Sequence, residues 1–248
     1  MYQTITSPHL HSLEDLPSSL RRLIQDLQAQ PHLTPLEVQQ FILAAEVSAQ
    51  DLLPWATFDH PVMDSYGRRM IFDGGHFEVM AMSWQPGDMS AIHDHGGTQW
   101  GAVQCFGQAA HYIYEYKDQT LTAKESAPYQ PGMIRPVNHQ LIHQMGNLGT
   151  HPFLSLHVYG SPHVQGEITG DARIFDLWEG SIQYTDGGVF FDLPEELINR
   201  KEFGLKGDRK STERHHQQMY QRLSQLLEHF PNHDCHAKYE ALKKWLSV

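Results

Sequence analysis

Cysteine is scarce in this sequence, with only Cys105 and Cys235 among 248 residues. Two cysteines in a chain of this length do not form a disulfide framework, so a reducing, cytoplasmic location is expected. No run of about 18 apolar residues occurs, which argues against a helical membrane span. Residues 1–11 are mostly polar and lack the charged region followed by an apolar stretch that marks a secretory signal.

Positive charge is also in short supply. The 18 lysine and arginine residues are outnumbered by 29 acidic residues, which gives a formal net charge of −11. An acidic chain lacks the basic patch by which proteins bind nucleic acids, so no nucleic-acid partner is expected. A hydrophobic fraction of 40% is sufficient for a packed core and argues against disorder.

Helical signals occur at the start of the chain. Four apolar residues between Leu20 and Leu27 have the spacing of one helix face. The segment from Thr34 to Glu37 has a threonine N-cap, proline at the first helical position and glutamate where it closes a capping box. Residues 48–51 are expected to begin a third short helix. We therefore predict a helical segment over residues 1–60.

Helical signals return at the end of the chain. Apolar residues from Met219 to Phe230 share one predicted helix face, and a short last helix is predicted around residues 242–246. The charged segment 200–214 is expected to be a mobile connection. His215 and His216 are expected on an exposed helix surface. Residues 193–248 are thus predicted to be a helical extension that packs on the rest of the molecule or on a second subunit of a homo-oligomer.

Between these ends lie short segments rich in β-branched, aromatic and methionine residues. Regular short strands separated by turns favour a sandwich or barrel, here over residues 61–192 in one compact domain. Strands are predicted at residues 76–84, 99–106, 109–116, 131–136, 139–146, 153–159, 173–179, 181–185 and 188–192.

Histidine, by contrast, is abundant, with 18 residues, and its spacing indicates where chemistry lies. In an extended strand, residues i and i+2 project to the same face, so His93 and His95 can both point into a barrel while Asp94 points away. Imidazole is a good ligand for first-row transition metals. A lone His-x-His pair can equally be a polar pair at a barrel rim.

A second histidine motif makes the metal interpretation more specific. Gly87-x5-His93-x-His95, then Gly107, then His143-x3-Asn147, resembles the two-part signature of the cupin barrels. The resemblance implies a mainly β jelly-roll barrel with His93, His95 and His143 holding a metal inside its mouth. His157 suits the third position by spacing alone, and the His-x3-Asn context favours His143.

Two features depart from the usual cupin pattern. Asn138 and Gln140 stand where many cupins have proline and glycine. Gln99 and Trp100 stand where a standard cupin has a ligating glutamate, so no carboxylate is expected among the ligands. Three neutral imidazoles would leave the 2+ charge of a metal unbalanced, which favours an anionic substrate ligand such as a thiolate.

A closer resemblance rests on Ser155-x-His157-x-Tyr159 and on Tyr66-x-Arg68, which are similar to elements of the cysteine dioxygenase family. The resemblance covers roughly residues 18–165. It implies one Fe(II) per chain and oxidation of free cysteine by O₂ to cysteine sulfinic acid. It also implies that Ser155, His157 and Tyr159 form a catalytic triad and that Arg68, with Tyr66 nearby, binds the substrate carboxylate.

The substrate is the point at which this resemblance is least specific. Animal members have a cysteine that cross-links to the triad tyrosine; Trp100 or Gly101 occupies that place here, so no cross-link is expected. Relatives that act on 3-mercaptopropionate also lack this cysteine, but they typically have glutamine where this chain has Arg68. Cysteine is therefore preferred. The alternatives are another small thiol acid, a non-catalytic ligand-binding cupin, or an interaction protein built around the C-terminal helices.

Overall fold

The computed structural model describes residues 13–162 and 168–247. The predicted polar N-terminal tail, with His9 and His11, lies outside these residues. The described part contains five α-helices: α1 (Ser18–Gln28), α2 (Pro35–Ala45), α3 (Ala49–Leu52), α4 (Arg209–His229) and α5 (His236–Leu246). The predicted capping box at the start of α2 is present, with Thr34 and Glu37 exchanging hydrogen bonds.

The described residues also form twelve strands. Their bounds are β1 (Gly67–Asp73), β2 (Phe77–Trp84), β3 (Trp100–Cys105), β4 (Ala110–Lys117), β5 (Thr120–Ser126), β6 (Ile134–Val137), β7 (Ile142–Gly146), β8 (Phe153–Gly160), β9 (Ala172–Asp176), β10 (Ser181–Thr185), β11 (Arg200–Phe203) and β12 (Lys206–Gly207).

The strands make two layers, in which the pairing is antiparallel except where β12 lies parallel to β5. One layer has the order β1-β2-β8-β3-β6. The other consists of β11-β10-β9 and β12-β5-β4-β7, which are joined where His93 bridges Ile174 of β9 and His143 of β7. Met80 and Val103 of the first layer share a core with Met145 and Ile174 of the second, so the layers enclose one interior. This architecture confirms the predicted mainly β cupin barrel with helices at both ends.

The helices explain why the central strands are apolar on both faces. Every residue of β2, β3 and β8 is buried. Their inward side chains line the barrel interior, and their outward side chains pack against α1, α2 and α3 in a second core that includes Leu20, Ile42 and Val79. Because both faces are covered, apolar residues occupy both strand parities.

Several sequence-based predictions are wrong. Segment 200–214 is not a connection, since it forms β11, β12 and the start of α4. His215 and His216 are buried rather than exposed. Residues 188–192 are not a strand, and His93 makes only an isolated bridge rather than belonging to a strand. Strands β1 and β5 were absent from the predicted set.

No helix in the described part of the chain is long and apolar enough to cross a membrane.

Candidate metal centre and substrate pocket

Three imidazole rings converge at the mouth of the barrel. His93 and His95 lie in the segment between β2 and β3, where His93 bridges β7 and β9, and His143 lies in β7. The backbone groups of His93 and His143 exchange two hydrogen bonds of 2.9 Å, which fixes the two histidines side by side. One ring nitrogen from each of the three residues lies within 4.8 Å of the others, and all three residues are buried.

Hydrogen bonds at Nδ1 orient two of these rings. Nδ1 of His93 lies 2.8 Å from the carbonyl oxygen of Ala91 and therefore donates to it. Nδ1 of His143 lies 2.7 Å from Nε2 of His111, whose own Nδ1 lies 3.1 Å from the carbonyl oxygen of Ala127. The carbonyl makes His111 donate from Nδ1 and accept at Nε2, so His143 carries its proton on Nδ1. The Nε2 lone pairs of His93 and His143 are consequently directed into the site.

The nitrogen spacing fits a bound transition metal. Nε2 of His95 lies 3.1 Å from Nε2 of His143. Two nitrogens at about 2.1 Å from one metal and at right angles are separated by roughly 3 Å. Asp94 is directed away, because its carboxylate pairs with Nε of Arg173 at 2.5 Å and accepts the Arg173 backbone N–H at 2.8 Å. The possible metal-binding cluster within the described residues therefore consists of histidines alone.

Burial keeps these histidines uncharged. It lowers the pKa of His93 to about 4 and holds the pKa values of His95 and His143 well below their ordinary value. His111 has its pKa lowered to about 4, again chiefly by burial. A neutral imidazole has a free lone pair, so the site holds its ring nitrogens in the form that binds a metal.

A hydrogen-bond chain runs along β8 beside the three histidines. Ser155 Oγ lies 2.8 Å from Nε2 of His157, and Nδ1 of His157 lies 2.7 Å from the hydroxyl of Tyr159. Strand alternation places all three on the inner face. The ring of Tyr159 lies 5.3 Å from that of His95, centroid to centroid, so the chain ends next to the three histidines.

Trp84 and Ser155 together indicate the direction of this chain. Trp84 Nε1 donates to Ser155 Oγ at 2.8 Å, and an indole nitrogen can only donate. Among the hydrogen bonds of the described residues, the acceptor for the Ser155 hydrogen is Nε2 of His157, which leaves His157 to donate from Nδ1 to the oxygen of Tyr159. The hydroxyl hydrogen of Tyr159 remains available to donate into the cavity.

The protonation states agree with this direction. Burial, with smaller contributions from His93 and Arg68, lowers the pKa of His157 to about 3, so its ring is neutral. Burial, with the neighbouring Tyr66 hydroxyl, raises the pKa of Tyr159 well above its ordinary value, so its hydroxyl stays protonated. The chain therefore ends in a permanent hydrogen-bond donor at neutral pH.

Arg68 and Tyr66 form the polar end of the same cavity, which measures about 500 Å³ including its open mouth. Arg68 is half-buried, whereas Arg69 is exposed, because adjacent residues of a strand project to opposite faces. The ion pairs within the described part of the chain do not use Arg68. The remaining wall is mainly apolar and includes Met80, Met145 and Val189.

Gly101 is the residue directly opposite Tyr159 in the β3–β8 pair. A Cβ at this position would lie 2.3 Å from the carbonyl oxygen of Val158 and 3.2 Å from the Tyr159 ring. Cys105 is a buried free thiol opposite Ser155, at the far end of the same register. The residue directly opposite Tyr159 in this register therefore has no thiol.

The structure brings together all eight candidate site residues, which are His93, His95, His143, Ser155, His157, Tyr159, Arg68 and Tyr66. Two supporting residues, Trp84 and His111, were not predicted from the sequence. Trp84 lies two residues after Met82, and His111 lies two residues before Ile113, so strand alternation places each on the inner face with that neighbour. Alternation could therefore have indicated that both side chains face the interior. Their hydrogen-bond partners are identified only by the cross-strand register.

Comparison with known proteins agrees with this geometry. The family model described as cysteine dioxygenase type I matches residues 7–168, which is more than half of the chain. Cysteine dioxygenase type 1 from Danio rerio is 28% identical over 169 residues, covering 65% of this chain and 80% of the fish protein. The Homo sapiens protein of the same name is 25% identical over 151 residues, covering 58% of this chain and 74% of its own length.

Among solved structures, a Klebsiella pneumoniae protein with a double-stranded beta-helix domain aligns with 48% of this chain and 91% of its own, at 18% identity and a TM-score of 0.37. The family match over residues 7–168 is the decisive comparison, and by it the chain belongs to the cysteine dioxygenase type I family.

Proposed function

We propose that this protein is an iron(II)-dependent thiol dioxygenase that oxidises free L-cysteine to cysteine sulfinic acid. The observation that carries the proposal is the combination of three uncharged, converging imidazoles with a buried tyrosine donor and an arginine in one cavity. Both atoms of O₂ join the sulfur, so thiol plus O₂ balances to sulfinic acid and no separate reductant is required.

His93, His95 and His143 would hold the iron through Nε2, with His111 and the carbonyl of Ala91 fixing two of the rings. Iron(II) when bound supplies the redox chemistry that allows a thiol to react with O₂. The all-histidine ligand set contributes no negative charge, so it favours binding of the substrate sulfur as thiolate.

Arg68 is suited to orient the substrate. A guanidinium binds a carboxylate in a planar, bidentate manner, and Tyr66 lies beside it in the cavity wall. Met80 and Met145 offer apolar contact to a short carbon chain. Holding the carboxylate at one end fixes the distance between the substrate sulfur and the three histidines.

Tyr159 acts on the reacting atoms as a hydrogen-bond donor. The chain from Trp84 through Ser155 and His157 leaves its hydroxyl hydrogen directed into the cavity. A fixed donor in a buried site stabilises negative charge that develops on oxygen without reorganisation at the moment of reaction.

The proposal is tested with the purified chain by metal analysis, followed by O₂ uptake and product identification with L-cysteine and 3-mercaptopropionate. We expect one iron per chain and cysteine sulfinic acid as the product. Preference for 3-mercaptopropionate would show that the substrate is a thiol acid other than cysteine. Absence of O₂ uptake with either thiol by iron-loaded protein would leave a non-catalytic ligand-binding cupin and overturn the proposal.

Arg68→Gln gives the sharpest test of substrate recognition. We expect KM for cysteine to rise at least about tenfold, since a charge-assisted hydrogen bond contributes roughly 1.5–3 kcal/mol. Arg69→Gln is the matched control, because Arg69 is exposed on the other face of β1 and should leave KM unchanged. Equal effects of both substitutions would exclude Arg68 as the carboxylate-binding residue.

A further inference from the structure

The cavity has a second wall that lies outside the matched family region. Thr169, Ala172, Gly187 and Val189 line it, and all four follow residue 168, where the family match ends. The shape of the cavity on this side is therefore determined by residues that follow the matched family region.

This second wall contacts the proposed substrate-binding end directly. The backbone N–H of Val189 donates to the hydroxyl of Tyr66 at 3.4 Å, and that of Phe191 donates to Ser65 Oγ at 3.1 Å. The rings of Phe190 and Tyr66 meet edge to face, with centroids 5.1 Å apart. Tyr66 is thus held between its own loop and the wall.

The C-terminal helices fix both sides of this contact. From α4, Nη2 of Arg222 donates to the backbone carbonyls of Val62 and of Asp64, the latter at 2.7 Å. From α5, Lys238 forms an ion pair with Asp192, which directly follows Phe191. Two helices remote from the metal ligands in sequence therefore hold the chain on either side of Tyr66.

Arg222 is placed to act as a tether rather than as a surface charge. The residue is only 7% exposed, and a guanidinium is buried at such a position only when it is well hydrogen-bonded. The segment it holds, between α3 and β1, has no regular secondary structure after Trp55, so tertiary contacts fix its path. That segment leads directly into Tyr66 and Arg68.

We propose that Arg222 is a positioning residue, which holds the loop before β1 so that Tyr66 and Arg68 form the substrate-binding end of the cavity. The C-terminal extension is then part of the machinery for substrate selection. This inference rests on the proposed thiol dioxygenase function for its kinetic consequence, but not for its structural one.

The test compares Arg222→Met, Arg222→Lys and wild type as full-length iron-loaded proteins. Methionine keeps the apolar stem and removes the donors. We expect KM for cysteine to rise about five- to tenfold with kcat within about twofold, because substrate placement is affected more than the reacting atoms. Lysine can donate to both carbonyls and should restore most of the lost affinity.

Hydrogen–deuterium exchange supplies a readout that does not depend on activity. In Arg222→Met, residues 60–68 should exchange roughly tenfold faster, while β7 and β8 keep wild-type protection and iron affinity is unchanged. Arg214→Met is the matched control, since Arg214 lies on the same helix but stacks on Tyr112, outside the pocket. It should alter neither KM nor the exchange of residues 60–68.

Unchanged exchange and KM in Arg222→Met would overturn the inference. So would uniformly faster exchange across the barrel with no rescue by lysine, which would make Arg222 a general packing residue. If Arg222→Met does not fold, wild-type-like exchange and KM must still be found for Arg222→Lys. Failure of the proposed function would appear instead as wild-type protein that oxidises no thiol, and the exchange comparison would remain valid.

Discussion

The indole hydrogen of Trp84 favours the arrangement in which Tyr159 donates its hydroxyl hydrogen into the cavity. Trp84→Phe keeps an aromatic ring against Tyr66, whose ring centroid lies 4.8 Å away, but removes the donor to Ser155. Ser155 Oγ then lacks its indole donor, which favours a hydrogen bond from Nε2 of His157, and Tyr159 then donates to Nδ1 of His157 instead of into the cavity. Since one neutral hydrogen bond contributes about 1 kcal/mol, we expect kcat for thiol oxidation to fall roughly fivefold to tenfold with iron content unchanged.

A double substitution distinguishes a connected chain from separate contacts. Ser155→Ala interrupts the same chain one bond further along, so Trp84→Phe combined with Ser155→Ala should be little worse than either single variant. Losses in kcat that multiply in the double variant would show that Trp84 does not act through Ser155.

The sequence predicted that Ser155, His157 and Tyr159 share one face of β8, because the three residues alternate with period two. Trp84 was not, since it lies 71 residues before Ser155 and meets it only through the antiparallel β2–β8 register. The same limit applies to His111, which supports His143 across the β4–β7 pair. Residue types and parity predict the reacting groups, whereas their supporting partners depend on strand order.

At the level of single elements, the turn before the histidine segment is fixed by His60. Nε2 of His60 lies 3.0 Å from Oδ2 of Asp88, which also accepts the backbone N–H of Gln85. Burial lowers the pKa of His60, but hydrogen bonding and attraction to Asp88 outweigh it, so the pKa is raised. A raised folded-state pKa stabilises the fold fully below the unfolded value of about 6.5, and this stabilisation is lost as pH rises through the folded pKa.

We therefore expect His60→Gln to lower the free energy of unfolding more at pH 5.5 than at pH 8.5, as measured by denaturant unfolding. His139→Gln is the control, because His139 is exposed in the connection between β6 and β7. A deficit for His60→Gln that stays constant between the two pH values would contradict an ionic role for His60.

Element boundaries were predicted best where both faces of a strand are buried. The segment predicted at 76–84 became β2 and that predicted at 153–159 became β8. Segment 200–214 was mistaken for a connection because β11 is an exposed edge strand, and a charged edge strand has the composition of a loop. Residues 188–192 have strand-like composition, but the N–H groups of Val189 and Phe191 bond to side chains instead of a neighbouring strand.

Over the whole molecule, the C-terminal extension docks on the barrel through buried histidines. His215 is 1% exposed; its Nε2 accepts the backbone N–H of Leu177 at 3.4 Å and lies 3.6 Å from Asp176. Its Nδ1 lies 3.3 Å from Nδ1 of His216. Periodicity alone predicted α4 but not that this face is covered. The covering residues come from the end of β9 and the turn after it, which lie about 40 residues earlier in the chain than His215.

Burial lowers the pKa of His215 to about 4, although attraction to Asp176 opposes the shift and His216 and Lys238 add to it. A lowered histidine pKa means that the unfolded chain binds the proton first, so stability is lost as pH falls from about 6.5 toward 4. From pH 7.5 to pH 5 this single group should cost about 2 kcal/mol of unfolding free energy. The glutamine of His215→Gln cannot take up the proton. In denaturant titrations, the free energy of unfolding of this variant should therefore fall about 2 kcal/mol less than that of wild type between pH 7.5 and pH 5. Identical pH dependence in the variant and wild type would show that folding does not shift the pKa of His215. A larger loss in the variant than in wild type at low pH would show that the helices dock through an ion pair between a charged His215 and Asp176.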